Sequence, residues 1–460
     1  MRLMMSDQSI LKLLFWFTVM ISLALSMNAL ALSFDSGSDG SDGALDFTWK
    51  KPASGNQWVW FDPNDASTFD PNNPTRKLDS DNDNVFHFTS IKIPAGVTVG
   101  LTAPKLNWAP VYWLATNDII IERGGVLWLG GGGGHGETSI GEGRFPSIPG
   151  PGGFPGGVGA SAINLAQPGF GPGGGQPDLN GANGGGASHS TMGGSFGGQA
   201  GNVYGSPFLI PLVGGSGGAG GGNGSNTNVI TYGGGGAGGG AILLASSSQI
   251  VIDGGINASG GAGVGGYRTR GGGGSGGSIR ILAPVVKGNE YYAYDGSWGW
   301  MSVGGGDGAN SANAGAAGRI RIETFKNQFY GKFFPDNALA VRVGGLVPST
   351  PFLPSHDQVP GWPIVHVVSI NGNTLNTEPT ASFEIPDATV STIDPVPVIF
   401  ETKNIPTTAN LKLHIYGPDY APIEVQPNHT EGDKNSSTWQ ADVSFPVGVS
   451  RGYLQATWMP

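Results

Sequence analysis

One short pattern, a run of small residues that ends in a β-strand, occurs three times between residues 233 and 325. The three copies read GGGGAGGGAILLA, GGGGSGGSIRILA and SANAGAAGRIRIETF. Ile242 of the first copy recurs as Ile279 and as Ile320, and a second aliphatic residue recurs two positions later. Because side chains alternate between the two faces of a strand, these residues are predicted to point inward together. The residues between them are predicted to face solvent on the other side: Leu243, Arg280 and Arg321.

A second recurring phrase joins two short strands through a Gly-Gly turn. It reads ATNDIIIERGGVLWLGG at 115–131 and SSSQIVIDGGINASGG at 246–261, and a weaker copy reads YYAYDGSWGWMSVGGG at 291–306. Repeated strand–turn–strand units without an intervening helical period are typical of solenoids, whose coils bury their faces by stacking. We therefore predict an all-β chain whose residues 85–346 form a parallel β-helix.

Glycine is the compositional outlier, with 83 Gly and 33 Pro in 460 residues. The richest part, residues 130–240, loses the strand alternation and is predicted to be a long insertion in the β-helix. It could be a flexible loop, although loops of this length usually carry structure of their own. Alternatively, extended glycine segments could pack side by side as polyglycine II and hydrogen-bond through their bare backbones.

The first residues are typical of an export signal. Basic residues precede the apolar run Leu13–Leu25, and Ala29-Leu30-Ala31 matches a small-residue cleavage site. We predict a signal peptide at 1–31 and a secreted or cell-surface protein with no membrane span after cleavage. The alternative is an uncleaved membrane anchor, because the apolar run approaches the roughly 20 residues that span a bilayer.

Charge and cysteine content exclude several classes of site. The chain has a formal net charge of −10, which disfavours nucleic acid and anionic lipid as partners. It contains no cysteine, and therefore no disulfide and no thiolate metal site.

Three further regions flank the predicted β-helix. Residues 32–84 are expected to cap its first coil, and residues 347–363 form a proline-rich linker. Residues 364–460 contain short alternating runs separated by Pro, Gly and Asn turns, which is typical of an immunoglobulin-like or fibronectin-like β-sandwich.

The phrases FDSGSDGSDG, FHFTSIKIPAGVTV and VYWLATNDIII, with the glycine-tract repeats, resemble a group of exported, glycine-rich bacterial parallel β-helix proteins. The resemblance covers about residues 34–325 and implies an adhesin-like or surface-fibre architecture without an assigned activity. The glycine tracts are also similar to those of glycine-rich receptor ectodomains and of phage adhesins built on polyglycine helices.

The alternating carboxylates Asp79, Asp81 and Asp83 have the spacing of a calcium-binding loop. Such a loop ends in an acidic residue at its twelfth position, but that position is occupied by Ser90 here. We prefer the interpretation of a solvated turn, and calcium is the one cofactor considered.

Catalytic residues are not assigned. Matches to G-x-S-x-G and G-x-G-x-x-G lie in glycine tracts without the strand and helix that those motifs need. The acids of the predicted coils do not repeat as a carboxylate pair, although a β-helix polysaccharide lyase or glycoside hydrolase remains the alternative function.

Aromatic residues form the densest candidate binding group, at Tyr291, Tyr292, Tyr294, Trp298 and Trp300. We interpret them first as partly buried in the stack, and alternatively as a platform for sugar rings, as for Trp58 and Trp60. The sequence thus predicts a non-enzymatic, exported structural or adhesion protein whose partners are glycans, other surface or matrix proteins, or copies of itself.

Overall fold

The computed structural model describes residues 34–78, 83–134, 145–160, 165–178, 183–222, 233–265, 270–289, 299–309, 311–335, 340–346, 363–375, 386–417 and 420–458. The predicted signal peptide and nearly all of the predicted linker lie outside these residues. The described chain is all-β, and its helices are short 3-10 turns at Thr48–Lys50, Ala66–Thr68, Ala103–Lys105 and Ser311–Asn313. None of the helices in the described ranges is long and apolar enough to cross a membrane.

The first fifteen strands pair in parallel. They are β1 Gly43–Asp46, β2 Gln57–Trp60, β3 Val85–Ile93, β4 Val97–Gly100, β5 Val111–Ala115, β6 Ile119–Ile121, β7 Val126–Trp128, β8 Ala241–Ser246, β9 Gln249–Ile252, β10 Gly255–Asn257, β11 Ser278–Gly288, β12 Trp300–Ser302, β13 Arg319–Phe329, β14 Lys332–Phe334 and β15 Val341–Gly345.

Six of these strands close into a ring. β3 pairs with β5 through its first half and with β6 through its second half. β11 pairs in the same way with β8 and then β9, while β5 pairs with β8 and β6 pairs with β9. The hydrogen-bond path therefore returns to its start and forms a parallel barrel, to which β1, β13 and β15 add at the rim.

The predicted parallel β-helix solenoid is therefore wrong, because a closed six-stranded parallel barrel stands at the core. In a solenoid each strand pairs with its equivalents in the neighbouring coils. Here β3 and β11 are nine and eleven residues long, so each can pair with two successive strands and close the circuit. Alternating strands joined by Gly-Gly turns suit both arrangements, so local pattern does not separate them.

The register predicted from the repeats is confirmed. Ile279 lies opposite Ile242 on one side and Ile320 on the other, and all three are buried in the main apolar core. The second phrase also aligns as predicted, with Ile119 opposite Ile250.

The sequence predicted that the outward face of β8 and β11 is exposed to solvent. The structure shows that this face is buried. Leu243 is fully buried in a second apolar cluster, which includes Leu209 and Leu212 from the glycine-rich region. Arg280 is only 5% exposed beneath the same covering. This sheet therefore packs on both faces, and the glycine-rich region supplies part of its outer cover.

The glycine-rich segments form a hydrogen-bonded body, which we call the glycine body; it comprises the described residues of 129–240, 258–277 and 303–318. Gly215 N–H donates to Gly239 O over 2.8 Å, and Gly236 N–H donates to Gly272 O over 2.9 Å. A methyl group at Gly238 would lie 1.8 Å from Gly215 O, so the segments approach more closely than any side chain permits. Of the two alternatives for this region, hydrogen-bonded packing is what the described residues show.

Eight antiparallel strands follow. They are β16 Ile364–Ile370, β17 Asn373–Thr374, β18 Val396–Lys403, β19 Asn410–Gly417, β20 Tyr420–Val425, β21 Asn428–Gly432, β22 Ser437–Val443 and β23 Arg451–Thr457. They form a five-stranded sheet, β17-β16-β18-β22-β21, and a three-stranded sheet, β20-β19-β23, around a shared apolar cluster.

This C-terminal unit docks on the glycine body. Tyr416 is fully buried in a cluster with Phe145 and Val158 of the glycine body. Its hydroxyl donates to Gln167 Oε1 over 2.7 Å, and Phe170 packs edge-on against the same ring. The two parts of the chain are therefore joined by an aromatic contact.

Candidate functional site

A second parallel sheet carries the candidate site. Its six short strands follow the order β14-β12-β10-β7-β4-β2. One residue of each strand points inward, and these six residues are in register across the sheet. Each belongs to the main apolar core or packs on it: Val59, Val99, Leu127, Ile256, Met301 and Phe333. Since side chains alternate, the flanking residues of each strand form two outward rows.

Five of the twelve positions in the outward rows carry aromatic side chains. One row reads Trp58, Thr98, Val126, Gly255, Trp300 and Lys332, and the other reads Trp60, Gly100, Trp128, Asn257, Ser302 and Phe334. We call the five aromatic side chains of these rows the aromatic face: Trp58, Trp60, Trp128, Trp300 and Phe334.

Three tryptophans cluster at the β2 end of the face. The ring centroids of Trp58 and Trp60 lie 5.2 Å apart at an angle of 29°, and Trp128 meets Trp58 edge-on at 5.7 Å. Trp58 is 45% exposed and Trp60 is 52% exposed. Each ring therefore has apolar neighbours on one side and water on the other.

Glycines of the same sheet allow the indoles to lie against the backbone. A methyl group at Gly255 would lie 2.2 Å from a ring atom of Trp300, and one at Gly100 would lie 2.5 Å from Trp60. Trp128 covers Gly130 in the same way, at 2.8 Å. The glycines therefore let one side of each indole ring pack against the sheet, and the rest of the indole surface stays accessible.

Polar groups lie among the rings. Ser302 Oγ is 2.7 Å from Ser259 Oγ, and Asn257 Oδ1 accepts the Ser259 N–H over 2.8 Å. At the far end, Lys332 Nζ lies 5.0 Å from the centre of the Phe334 ring. A ligand on the aromatic face would meet hydroxyl, amide and ammonium groups beside apolar rings.

Of the aromatic residues proposed from the sequence, Trp300 is placed on this face and is half-buried. Tyr291, Tyr292, Tyr294 and Trp298 lie outside the described residues. Sequence reasoning missed Trp128 and Phe334. Aligning VLW with WMS in the repeated phrase would have placed Trp128 in the same row as Ser302, on the same outward face as Trp300.

The calcium candidate is described only in part, because Asp79 and Asp81 lie outside the described residues. Asp83 Oδ1 accepts the Val85 N–H over 2.8 Å at the start of β3. Asn84 adopts a φ of 60°, a conformation that glycine usually supplies. Within the described ranges there is no group of three His, Cys, Asp or Glu residues that could hold a metal ion.

Two acids near the barrel, Glu323 and Glu122, are held by cations. Glu323 Oε1 accepts from both Arg280 Nε and Arg321 Nε, each over 2.9 Å. Glu122 lies 3.1 Å from Lys92 Nζ. Desolvation acts to raise the pKa of Glu122, but the Ala95 N–H and Lys92 outweigh it and lower that pKa. A general acid needs the opposite shift.

Comparison with known proteins finds no matching family model, no matching curated protein and no matching solved structure. We therefore infer function from the aromatic face itself.

Proposed function

We propose that the protein is an exported, non-enzymatic surface or matrix protein that binds a neutral polysaccharide on the aromatic face. The observation that carries the proposal is the set of five aromatic side chains, Trp58, Trp60, Trp128, Trp300 and Phe334, on the outward rows of one sheet. Contiguous exposed apolar surface on a soluble protein commonly marks a binding site.

The chemistry of the face suits sugar rings. A pyranose ring presents C–H groups on its face and hydroxyl groups at its edge, so it can stack on an indole while its edge hydrogen-bonds. Tryptophan combines a large apolar surface with a polar N–H group, which matches this division. The hydroxyls of Ser259 and Ser302 are placed for the edge groups.

The dimensions of the face suit a chain of sugars. Its six strands are spaced by about 4.8 Å, so the face extends about 24 Å from β2 to β14. That length accommodates several consecutive pyranose rings. A polymer could therefore contact Trp60 at one end and Trp300 or Phe334 at the other.

The test is titration calorimetry with neutral oligosaccharides that a glycan array selects. Trp60→Ala and Trp300→Ala should each weaken binding about tenfold, which is about 1.4 kcal/mol. Trp458→Ala, an exposed tryptophan of the C-terminal unit, is the matched control and should bind like wild type. Absence of any neutral glycan ligand, or an equal effect of the control, would refute the proposal.

The same samples distinguish the enzyme alternative. Incubation with each bound neutral polysaccharide should release no new reducing ends. A lyase acts on uronate polymers, so incubation with polygalacturonate tests it and should give no unsaturated uronate absorbance. Steady product release that follows the protein concentration would replace the binding proposal with a lyase or hydrolase.

A further inference from the structure

Four arginines lie together on the outward face of the barrel sheet. Arg280, Arg321 and Arg342 are in register on the neighbouring strands β11, β13 and β15. Arg319 lies two residues before Arg321 and therefore on the same face. We call these four residues the arginine ladder.

One acid serves the ladder within the described ranges. Glu323 accepts hydrogen bonds from Arg280 and Arg321, and this carboxylate is only 7% exposed. Like charges on directly opposite residues of a sheet repel, so Glu323 explains how Arg280 and Arg321 can be neighbours. No equivalent acid in those ranges pairs with Arg342 on the next strand.

Arg319 adds a second unbalanced charge. It is 9% exposed, and its Nε is buried without a hydrogen-bond partner. Its Nη2 donates to the carbonyls of Tyr204 and Gly205, which carry no formal charge. Desolvation, aided by repulsion from Arg342, lowers the pKa of Arg319.

Phe208 and Gly344 lie next to Arg321 of the ladder. The guanidinium carbon of Arg321 lies 4.9 Å from the centre of the Phe208 ring, and Phe208 is 60% exposed. Beside it, Gly344 presents bare backbone, and a methyl group there would lie 3.6 Å from Arg321 Nη2. An apolar ring on one side and bare backbone on the other thus flank the positive charges.

We propose that Arg319, Arg321 and Arg342 bind an oxyanion, either a carboxylate or sulfate carried by an acidic sugar or the free inorganic anion. The planar guanidinium fork matches the oxygen geometry of such groups and forms short, charge-assisted hydrogen bonds to them. A bound oxyanion would balance the charges of Arg319 and Arg342, as Glu323 balances those of Arg280 and Arg321. This site is independent of the aromatic face, which lies on the other sheet.

The test measures binding of sodium sulfate and of tetragalacturonate by calorimetry, with thermal unfolding in sodium chloride of equal ionic strength as the salt control. Wild type should bind sulfate, and its extra thermal stabilisation by sulfate over chloride should exceed that of Arg342→Gln, because exclusion of sulfate from the protein surface stabilises both proteins alike. Arg342→Gln, a change at an exposed side chain, should keep the wild-type fold and weaken binding at least tenfold.

Arg270→Gln, an exposed arginine of the glycine body, is the matched control and should bind as wild type does. Tetragalacturonate that binds more tightly than sulfate and is displaced by it would identify an acidic sugar. Sulfate binding without tetragalacturonate binding would identify the free anion. Equal extra stabilisation by sulfate in wild type and Arg342→Gln, or unchanged affinity in that variant, would overturn the proposal.

Failure of this proposal is separable from failure of neutral-glycan binding. Trp60→Ala should leave sulfate affinity unchanged, because Trp60 lies on β2 of the six-stranded sheet.

Discussion

His189 should make the stability of the glycine body depend on pH. The imidazole is 1% exposed, stacks on Tyr204 with ring centroids 4.5 Å apart, and its Nδ1 lies 2.8 Å from Gly276 O. Burial, aided by the positive charge of Arg319, lowers the pKa of His189 to about 4. In the unfolded chain the pKa of histidine is about 6.5.

The sign follows from where the proton binds. Between pH 6.5 and pH 4 the unfolded chain takes up a proton that folded His189 does not, so acid favours unfolding. The contribution of His189 is complete above pH 6.5, falls as the pH drops, and is lost below pH 4. At about 1.36 kcal/mol per pKa unit, the loss is about 2 kcal/mol at pH 5 and about 3 kcal/mol at pH 4.

Urea unfolding of wild type and His189→Gln at pH 7, 6, 5 and 4 measures this contribution as a difference between the two proteins. The difference isolates His189, because both proteins share the carboxylates that titrate below pH 5. Parallel pH profiles for wild type and His189→Gln between pH 7 and pH 5 would refute the buried neutral state.

Two further substitutions test the packing. Arg280→Asp should destabilise the fold by about 3 to 5 kcal/mol, because it breaks a buried ion pair and places a second acid beside Glu323. Lys326→Asp, a substitution at an exposed residue of β13, should leave the stability unchanged. Thermal unfolding of the two variants measures the difference. Gly238→Ala should lower the free energy of unfolding, measured in urea, by the cost of overpacking, about 1 to 3 kcal/mol. Gly345→Ala should not, because a methyl group there meets open space. Equal effects within either pair would contradict the packing described.

Local alternation was enough to predict strand registers. Ile242, Ile279 and Ile320 follow small-residue runs in the same way, and the sheet aligns them as the repeats indicated. The period of two also placed Arg280 on the opposite face correctly. A pattern within one strand carries this information because side-chain direction depends only on position along that strand.

Contacts between distant segments were beyond the same reasoning. Leu209 and Leu212 cover the sheet outside Arg280, yet they lie in a glycine-rich stretch with no alternation to indicate burial. Closure of the barrel depends on β3 and β11 each meeting two strands, which their alternation does not encode. On the aromatic face, the three-residue strands were too short to reveal that Trp128 and Phe334 share rows with Trp60.

Net charge does not by itself decide whether the proposed site at the arginine ladder can bind an anion. The formal net charge of −10 repels a polyanion only at distances where it experiences the summed charge of the whole protein. At 0.1 M salt, dissolved ions screen charge–charge interactions beyond about 10 Å. Arg321 and Arg342 lie on adjacent strands about 4.8 Å apart, well within that distance. An oxyanion in contact with them therefore responds to the arginine ladder first, so an acidic protein can hold a specific anion site while it repels polyanions elsewhere.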